Sequence, residues 1–367
     1  MNAAMYPLIL LTAFVCSSAL ARDIVVDAQS PAANDSNPGT SALPLRTLTA
    51  GLAQAMPGDT IVVKPGRYTD PNATWYSAFT PARSGTATAP ITIKADPLHG
   101  ATLGPRGYLA NAQSRYPALS IYQRQYIVVD GFKAEGMMMI FHDVFPKVRQ
   151  NVTIQNCDIL FGSQLGDDPS LNWGLAIHVS DGNTLRNNRV SRMRSSGNNS
   201  ENTGAVMLFA AAHNIIENND ADAGNGVVYS AFGQKAGQIN NNIWRRNVAR
   251  NAVAGFLGKG STSGDAFSDN ETFYQNLIID SDRAFSLNHN SRYWRVYNNT
   301  AYNVRLFLNQ WQFSSVDNQF WNNLVVPTRG VYQLEIQTTG TFSPYISYSD
   351  YNFFGTGTNA IGLWHYG

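Results

Sequence analysis

Short apolar strands, each followed by a polar pair that usually contains asparagine, recur along the chain from about residue 118. Examples are IQNC at residues 154–157, LRNN at 185–188 and IENN at 216–219. The copies end at Cys157, Asn188, Asn219, Asn247, Asn270, Asn299 and Asn323, so they are 31, 31, 28, 23, 29 and 24 residues apart. A repeat of this length, with no helical segment between its markers, predicts a stack of coils with three short strands and three turns each.

Asparagine suits a fixed turn position in such a stack. It tolerates the left-handed backbone conformation, and its side chain can bond to the equivalent asparagine of the next coil. We therefore predict an all-β fold, a right-handed parallel β-helix (a three-sheet solenoid), with coils from about residue 60 to 350. The residues expected to point into its core are Ile154, Leu185, Ile216, Val296 and Phe320.

A second apolar strand lies inside each repeat, as in LAIH at residues 175–178 and FLGK at 256–259. Its first and third residues should point inward, and its second and fourth outward. The fourth positions form a predicted outward column of His178, Phe209, Ala231, Lys259, Asn288, Asn309 and Glu335. One residue per coil, at a rise of about 4.8 Å, suits a linear polymer, although a solvated sheet face gives the same pattern.

The N-terminus carries the signals of an export sequence. Residues 8–15 are mostly apolar, and ALA at residues 19–21 is a small-x-small cleavage pattern, which predicts a signal peptide over residues 1–21. The apolar run is too short for a transmembrane anchor. We therefore expect a secreted or periplasmic protein.

Apolar residues at helical spacing precede the first coil. They are Leu45, Leu48, Leu52 and Met56, and they predict a short N-terminal capping helix over the open end of the solenoid. An ordinary surface helix is the alternative. Residues 22–367 are then one β-helix domain, with the cap at about 22–60. Because no polar cap follows the last coils, a truncated C-terminal end stays open.

The composition and charge of the chain limit the classes of molecule that it is expected to bind. Charged residues make up 14% of the 367 residues and the formal net charge is +1, which gives no global electrostatic case for nucleic acid. Once Cys16 leaves with the signal peptide, one cysteine remains, and the alternating context of Cys157 predicts a core position. We expect a monomer that binds an anionic polysaccharide and spans no membrane.

Cleavage of a uronic-acid polymer by β-elimination needs a base, a group that neutralises the carboxylate, and a proton donor for the leaving oxygen. Lys259, between Gly258 and Gly260, is the candidate base, and Asn288 and His289 lie one coil on. Each can equally be an ordinary surface or structural residue. The candidate substrate-binding residues are His178, Tyr229, Arg283, Arg292, Asn309 and Trp311.

An acidic insert follows the candidate lysine and contains Asp265, Asp269 and Glu271. Carboxylates so close in sequence can bind Ca²⁺, but their spacing is not that of an EF-hand loop. No cofactor is therefore firmly implied, and Ca²⁺ stays open.

Four segments resemble the opening of β-helix polysaccharide lyases: DSNPGT at 35–40, PLRTL at 44–48, PGDTIVVKPGRY at 57–68 and PITIKA at 90–95. The nearest groups are family 6, with alginate lyase and chondroitinase B, and the family 9 pectate lyases. The likeness extends over most of the chain after residue 21. It implies a parallel β-helix and, in family 6, a catalytic lysine that matches Lys259 in FLGKGS at 256–261.

The next family 6 motif, an Arg-His-Gly strand one coil later, falls on residues 285–290. His289 matches its histidine, whereas Asn288 replaces its arginine. The Ca²⁺-binding acids of the family fall near Ala252 and Ala254 and are missing. The resemblance thus implies the fold and the lysine but carries over neither the arginine nor the metal, and we expect activity to survive chelation.

The sequence favours an exported lyase that cleaves an anionic polysaccharide, such as alginate, by β-elimination. Two other classes stay open. One is a glycoside hydrolase or an epimerase on the same fold, with Glu335 and either Asp280 or Asp282 as the paired acids of a hydrolase. The other is a non-catalytic, carbohydrate-binding β-helix.

Overall fold

The computed structural model is a right-handed parallel β-helix, with three long parallel sheets and one helix among the described residues, which confirms the predicted fold class. Residues 1–19, and with them almost all of the expected signal peptide, lie outside the described residues, as does the chain end after residue 355. The structure describes residues 20–104, 116–160, 163–164, 172–191, 203–224, 226–233, 239–260, 268–288, 290–311, 315–327, 334–336 and 346–355.

Sheet 1 contains the strands that precede all but one of the predicted markers, and it has 12 strands. In order they are Asp23–Val26, Thr60–Val63, Ile91–Ala95, Ile127–Asp130, Thr153–Gln155, Thr184–Arg186, Ile215–Glu217, Ile243–Arg245, Thr272–Tyr274, Arg295–Tyr297, Asn318–Trp321 and Ile346–Asp350. All five predicted core residues lie on these strands and are buried, because each is the inward-pointing member of its alternating pattern.

Sheet 2 has 11 strands, and each follows a sheet 1 strand, across a turn of two residues in all but one case. They are Gly66–Tyr68, Ala101–Leu103, Lys133–Glu135, Asp158–Leu160, Arg189–Ser191, Asp220–Asp222, Val248–Arg250, Leu277–Ile279, Thr300–Val304, Leu324–Pro327 and Phe353–Phe354. Cys157 lies in one of the short turns, where it is buried, and burial raises the pKa of its thiol to about 12. This agrees with a structural rather than a nucleophilic cysteine.

Sheet 3 holds the second apolar strand of each repeat. Its parallel strands are Leu119–Tyr122, Met138–Phe141, Asn172–His178, Gly204–Phe209, Val227–Phe232, Ala254–Lys259, Arg283–Asn288, Leu306–Trp311 and Leu334–Ile336, and Ser163–Gln164 pairs antiparallel with the third of them. Two small parallel sheets lie between sheets 3 and 1. They consist of Val148–Arg149 with Ser180–Asp181, and of Ile239–Asn240, Ser268–Asp269 and Ser291–Arg292.

The helix Leu48–Gln54 is shorter than the apolar spacing suggests. Thr47 is its N-cap and accepts a hydrogen bond from the backbone N–H of Ala50, so the helix starts there. Leu45, just before it, pairs instead with Val26 of the first strand, and Met56, just after it, is 45% exposed. Leu48, like Leu52 one turn on, packs against the first coil, as expected of a cap.

An asparagine ladder stacks along the turns between sheets 1 and 2. Its members are Asn188, Asn219, Asn247, Asn276, Asn299, Asn323 and Asn352. In each step the Oδ1 atom accepts from both the backbone N–H and the Nδ2 atom of the preceding coil's asparagine, at 2.9–3.1 Å. Buried turn backbone is thereby satisfied without water.

The two polar residues of each marker pair have different roles. The first, as in Asn187, has a positive φ, and the second, as in Asn188, has the side chain in the ladder. The predicted marker at Asn270 was therefore wrong. Asn270 follows Ser268–Asp269, which is a strand of the small three-stranded sheet and not of sheet 1. The ladder residue of that coil is Asn276, which follows the sheet 1 strand Thr272–Tyr274.

A second ladder lines the turns that enter sheet 1, and it contains an acid. Asn183, Asn214 and Asn242 are bonded in the same way, and then Glu271 takes the next place. Its carboxyl group is buried and accepts hydrogen bonds from Asn242 Nδ2 at 2.9 Å and Trp244 Nε1 at 2.6 Å. Burial raises the pKa of Glu271 to about 8, although these hydrogen bonds oppose the shift.

Replacing Asn247 with alanine should lower the free energy of unfolding by about 2–4 kcal/mol, because the Asn219 N–H groups and the Ile216 carbonyl lose their buried partner. Urea unfolding followed by circular dichroism measures the change. Asn72→Ala, at an exposed turn residue, is the matched control. Equal urea midpoints for the two variants would contradict a stabilising ladder.

Glu271 should make the fold less stable as the pH rises. Its pKa in the folded state, about 8, lies above the ordinary value of 4.5, so the stabilisation is complete below pH 4.5 and is lost as the pH passes through about 8. The slope should approach about 1 kcal/mol per pH unit between these values. Urea midpoints measured from pH 5 to pH 9 should fall more steeply for the wild type than for Glu271→Gln, and parallel curves would refute the assignment.

Candidate functional site

The outer face of sheet 3 carries a column of residues in strand register, one per coil. In strand register the column consists of Tyr122, Phe141, His178, Phe209, Phe232, Lys259, Asn288 and Trp311. Side chains alternate along each strand, so the residue just before each member of the column points into the core. The residue two places before that member lies on the same outer face as the column. We call this face the sheet 3 face.

The predicted column is corrected at Ala231, Asn309 and Glu335. Phe232, not Ala231, pairs with Lys259, and Trp311, not Asn309, pairs with Asn288. Asn309 pairs with Ser286 and Glu335, so it stays on the sheet 3 face but two residues further back along the strand. The side chains of Trp311 and Glu335, and all of His289, lie outside the described residues.

Tyr229 was wrongly predicted to line the channel. It is fully buried in the core, where its ring stacks on Phe256 at 4.9 Å. Its hydroxyl lies within hydrogen-bonding distance of two backbone carbonyl oxygens, 3.1 Å from that of Asn219 and 3.0 Å from that of Val248. Burial raises the pKa of Tyr229 well above the usual range. Its strand is apolar at nearly every position, so the sequence pattern did not show which of its residues point outward.

Lys259 ends its strand on the sheet 3 face and is half-buried. Its ammonium group lies 5.8 Å from the centroid of the Phe232 ring, within the range of a cation–π contact. Gly258 points inward, and a Cβ atom there would come within 2.1 Å of the Trp294 ring. The glycine therefore makes room for a core tryptophan directly beneath the candidate lysine.

Polar groups gather on the coils after Lys259. Asn288, its register partner on the next coil, is buried and accepts a hydrogen bond from Ser286 Oγ at 3.1 Å. The same hydroxyl lies 3.4 Å from Asn309 Oδ1 of the following coil. We call Lys259, Arg283, Ser286, Asn288 and Asn309 the polar cluster. It occupies three successive coils, and the rest of the described face is almost entirely apolar or aromatic.

Arg283 begins the strand that carries Ser286 and Asn288. Its Nε atom lies 3.4 Å from Asp282, but the same carboxylate is bound more closely by Arg305, with Nε at 2.6 Å. Two guanidinium groups thus share one carboxylate and leave a net positive charge at this end of the face. Arg292 lies elsewhere, in the three-stranded sheet, where Asp269 holds it at 2.7 Å.

His178 lies three coils before Lys259, between two parallel rings. The centroids of Phe141 and Phe209 are each 4.6 Å from its own. Burial lowers its pKa to about 4, and its Nδ1–H group points to the carbonyl of His142 at 3.4 Å. His178 is therefore a neutral ring in an aromatic stack, separated from the polar cluster by two phenylalanines.

The two described residues of the candidate Ca²⁺ site do not fit that ion. The Asp269 carboxylate is occupied by Arg292, Glu271 is buried among hydrogen-bond donors, and Asp265 lies outside the described residues. Within the described ranges no three His, Cys, Asp or Glu side chains cluster as metal ligands. Two carboxylates suggested for a hydrolase already have partners. Asp280 accepts a hydrogen bond from Asn303, and Asp282 forms ion pairs with Arg283 and Arg305.

Sequence reasoning missed a loop that joins the sheet 3 face. Residues 70–84 pass beside its first strand, where Ser120 donates through its backbone N–H to Ala78 and through its hydroxyl to Tyr76. The loop brings Trp75 and Tyr76 against Phe141, at 5.5 and 6.3 Å between centroids. Only the aromatic residues of the loop could have indicated it, because its partner strands begin some 40 residues later.

Among the described residues, no helix has the length and apolar character that a bilayer span requires.

Comparisons with known proteins identify the fold. Residues 32–77 match a family described as a protein of unknown function (DUF1565), and no curated protein matches the chain. The chain is similar to the pectate lyase Pel9A, at 18% identity and TM-score 0.57 over 92% of this chain and 81% of that one. It is also similar to the GH136 lacto-N-biosidase from Eubacterium ramulus (13%, 0.53, 91% and 68%) and to a polygalacturonase from Erwinia carotovora ssp. carotovora (11%, 0.51, 94% and 97%). The chain thus shares the right-handed parallel β-helix fold of these three carbohydrate-active enzymes.

Proposed function

We propose that this protein is an exported polysaccharide lyase that cleaves a uronic-acid-containing chain by β-elimination, with Lys259 as the base. The observation that carries the proposal is the polar cluster. It joins a lysine, an arginine, two amides and a hydroxyl on three successive coils of a face that is otherwise almost entirely apolar. Adjacent coils are about 4.8 Å apart, so groups on neighbouring coils can reach the same sugar unit.

The two basic groups of the cluster have direct roles in the proposed reaction. Lys259 acts as the base and takes the proton from C5 of the uronate, the electron pair forms the C4–C5 double bond, and the C4–O4 bond breaks. Arg283, with its share in the net positive charge, binds the carboxylate and stabilises the charge that develops on it, while the buried Asn288 holds the Ser286 hydroxyl beside it. The leaving oxygen takes a proton, for which we propose His289, the neighbour of Asn288 in sequence.

The neighbouring structures support a carbohydrate-active protein in a general way, since a lyase and two glycoside hydrolases share the fold. The cluster favours the lyase among these chemistries. Hydrolysis needs two available carboxyl groups, whereas the polar cluster consists of cationic, amide and hydroxyl groups, and the suggested acids Asp280 and Asp282 already bind Asn303 and two arginines.

Lys259→Ala should reduce turnover by at least about a hundredfold, because the reaction loses its base. It should leave the melting temperature nearly unchanged, because a half-exposed lysine contributes little stability. Purified protein is incubated with alginate, pectate or a glycosaminoglycan, and the ultraviolet absorbance of the unsaturated product is followed. Lys94→Ala, on the outer face of sheet 1, is the matched control and should keep full activity. Undiminished activity of the Lys259 variant would remove the lysine from the mechanism.

Chelation should leave the activity unchanged. Alanines stand at 252 and 254, where the resembling family has its Ca²⁺ ligands, and Asp269 and Glu271 are held by Arg292, Asn242 and Trp244. The rate with the best polysaccharide is measured before and after EDTA treatment, and again after Ca²⁺ is added back. A loss that Ca²⁺ restores would show that a metal binds elsewhere and neutralises the carboxylate in place of Arg283.

A further inference from the structure

The sheet 3 face has a second polar and aromatic group at its other end, far from Lys259. It consists of Trp75, Tyr76, Tyr122, Gln123 and Asp143, which we call the distal cluster. Tyr122 and Phe141 belong to the same outward column as Lys259, and four strand steps separate Phe141 from the lysine. At about 4.8 Å per step the two ends are about 19 Å apart, the length of roughly four sugar units.

Trp75 is held in place although much of its ring is in water. Its indole is 42% exposed, and it packs edge-to-face against Tyr76 and Phe141, at 5.1 and 5.5 Å. The loop that carries it is bonded to the strand Leu119–Tyr122 through Ser120. An exposed ring on a fixed backbone loses little conformational freedom when a ligand stacks on it, so this tryptophan is preorganised for binding.

Hydrogen-bonding groups lie beside this ring in a fixed arrangement. Asp143 accepts from the Tyr122 hydroxyl at 2.8 Å and from Gln123 Nε2 at 2.6 Å. Gln123 has a positive φ of 52°, and the turn that results directs its amide to Asp143. Tyr122 and Trp75 both contact the ring of Phe141, so the aromatic and polar parts are neighbours.

The distal cluster contains a carboxylate, whereas the polar cluster contains two basic side chains. Desolvation opposes the ionisation of Asp143, but the hydrogen bonds from Tyr122 and Gln123 outweigh it and lower its pKa below the usual range. The guanidinium group of nearby Arg124 is held by the carbonyl oxygens of Pro81 and Gln123. A carboxylate beside an aromatic ring binds sugar hydroxyls well and repels a second carboxylate.

We infer that the distal cluster is a sugar-binding subsite for a neutral pyranose, with Trp75 as the stacking platform and Asp143 as the acceptor for hydroxyl groups. This inference rests on the proposed function, because it adds a neutral portion to the uronic-acid-containing substrate proposed above. The polysaccharide would carry a uronate at the polar cluster and neutral sugars about four units away. A mixed polymer then fits the face better than one made entirely of uronic acids.

The test measures binding without turnover, in the Lys259→Ala background, by titration calorimetry. The probes are cellohexaose, mannohexaose and hexagalacturonate. Trp75→Ala should weaken the binding of at least one neutral hexasaccharide about tenfold, and Trp75→Phe should restore part of it. Tyr302→Ala, which removes an exposed aromatic residue on the outer face of sheet 2, is the matched control and should change nothing.

Asp143→Asn separates charge from shape. It should strengthen the binding of hexagalacturonate several-fold, because the repulsion is removed. The inference is overturned if no neutral probe binds, if Trp75→Ala and Tyr302→Ala behave alike, or if hexagalacturonate depends on Trp75 as strongly as the neutral probes do. The proposed function is tested separately: if wild-type protein forms no unsaturated product while neutral binding still requires Trp75, the lyase is refuted and the subsite stands.

Discussion

Register between neighbouring coils is the constraint on which the rest of this structure depends. A parallel β-helix gains little from sequence-local contacts, so each coil is positioned by the one before it. The asparagine ladder from Asn188 to Asn352 sets this register, because the Oδ1 atom of each member after Asn188 accepts two hydrogen bonds from the coil that precedes it. Once the turns are aligned, side chains at equivalent strand positions form straight columns, and Lys259 comes to lie beside Asn288 although 29 residues separate them.

The fold could be predicted from the sequence because the ladder leaves a visible trace, an asparagine after each short apolar strand. The prediction failed where that trace was ambiguous. Asn270 follows a plausible strand, but that strand belongs to a small extra sheet, and the burial of Ser268 does not show in the sequence. Tyr229 lies on a strand whose six residues are all buried, Val227–Phe232, so no polar position marks its outer side. Both errors arise where period-two alternation disappears.

The candidate site was predictable only in part, for a different reason. Lys259 and Asn288 lie on repeating strands, so their juxtaposition follows from the period. The distal cluster depends on Trp75, which is carried by an irregular loop and contacts a ring 66 residues away in sequence. No periodicity connects the two. The positive and negative ends of the sheet 3 face therefore become apparent only when the coils are stacked in space, with Arg283 and Arg305 at one end and Asp143 at the other.

The packing of Gly258 against Trp294 links the interior of the solenoid to its surface. The indole fills the space that a side chain at 258 would occupy, and its Nε1 atom donates to the carbonyl of Ser268 at 3.0 Å, so it has little room to move away. The distance of the Lys259 strand from the core is thus set by Trp294, a fully buried residue. Over evolutionary time the two positions are not independent: a larger residue at 258 is tolerable only with a smaller one at 294, and related proteins should exchange them together.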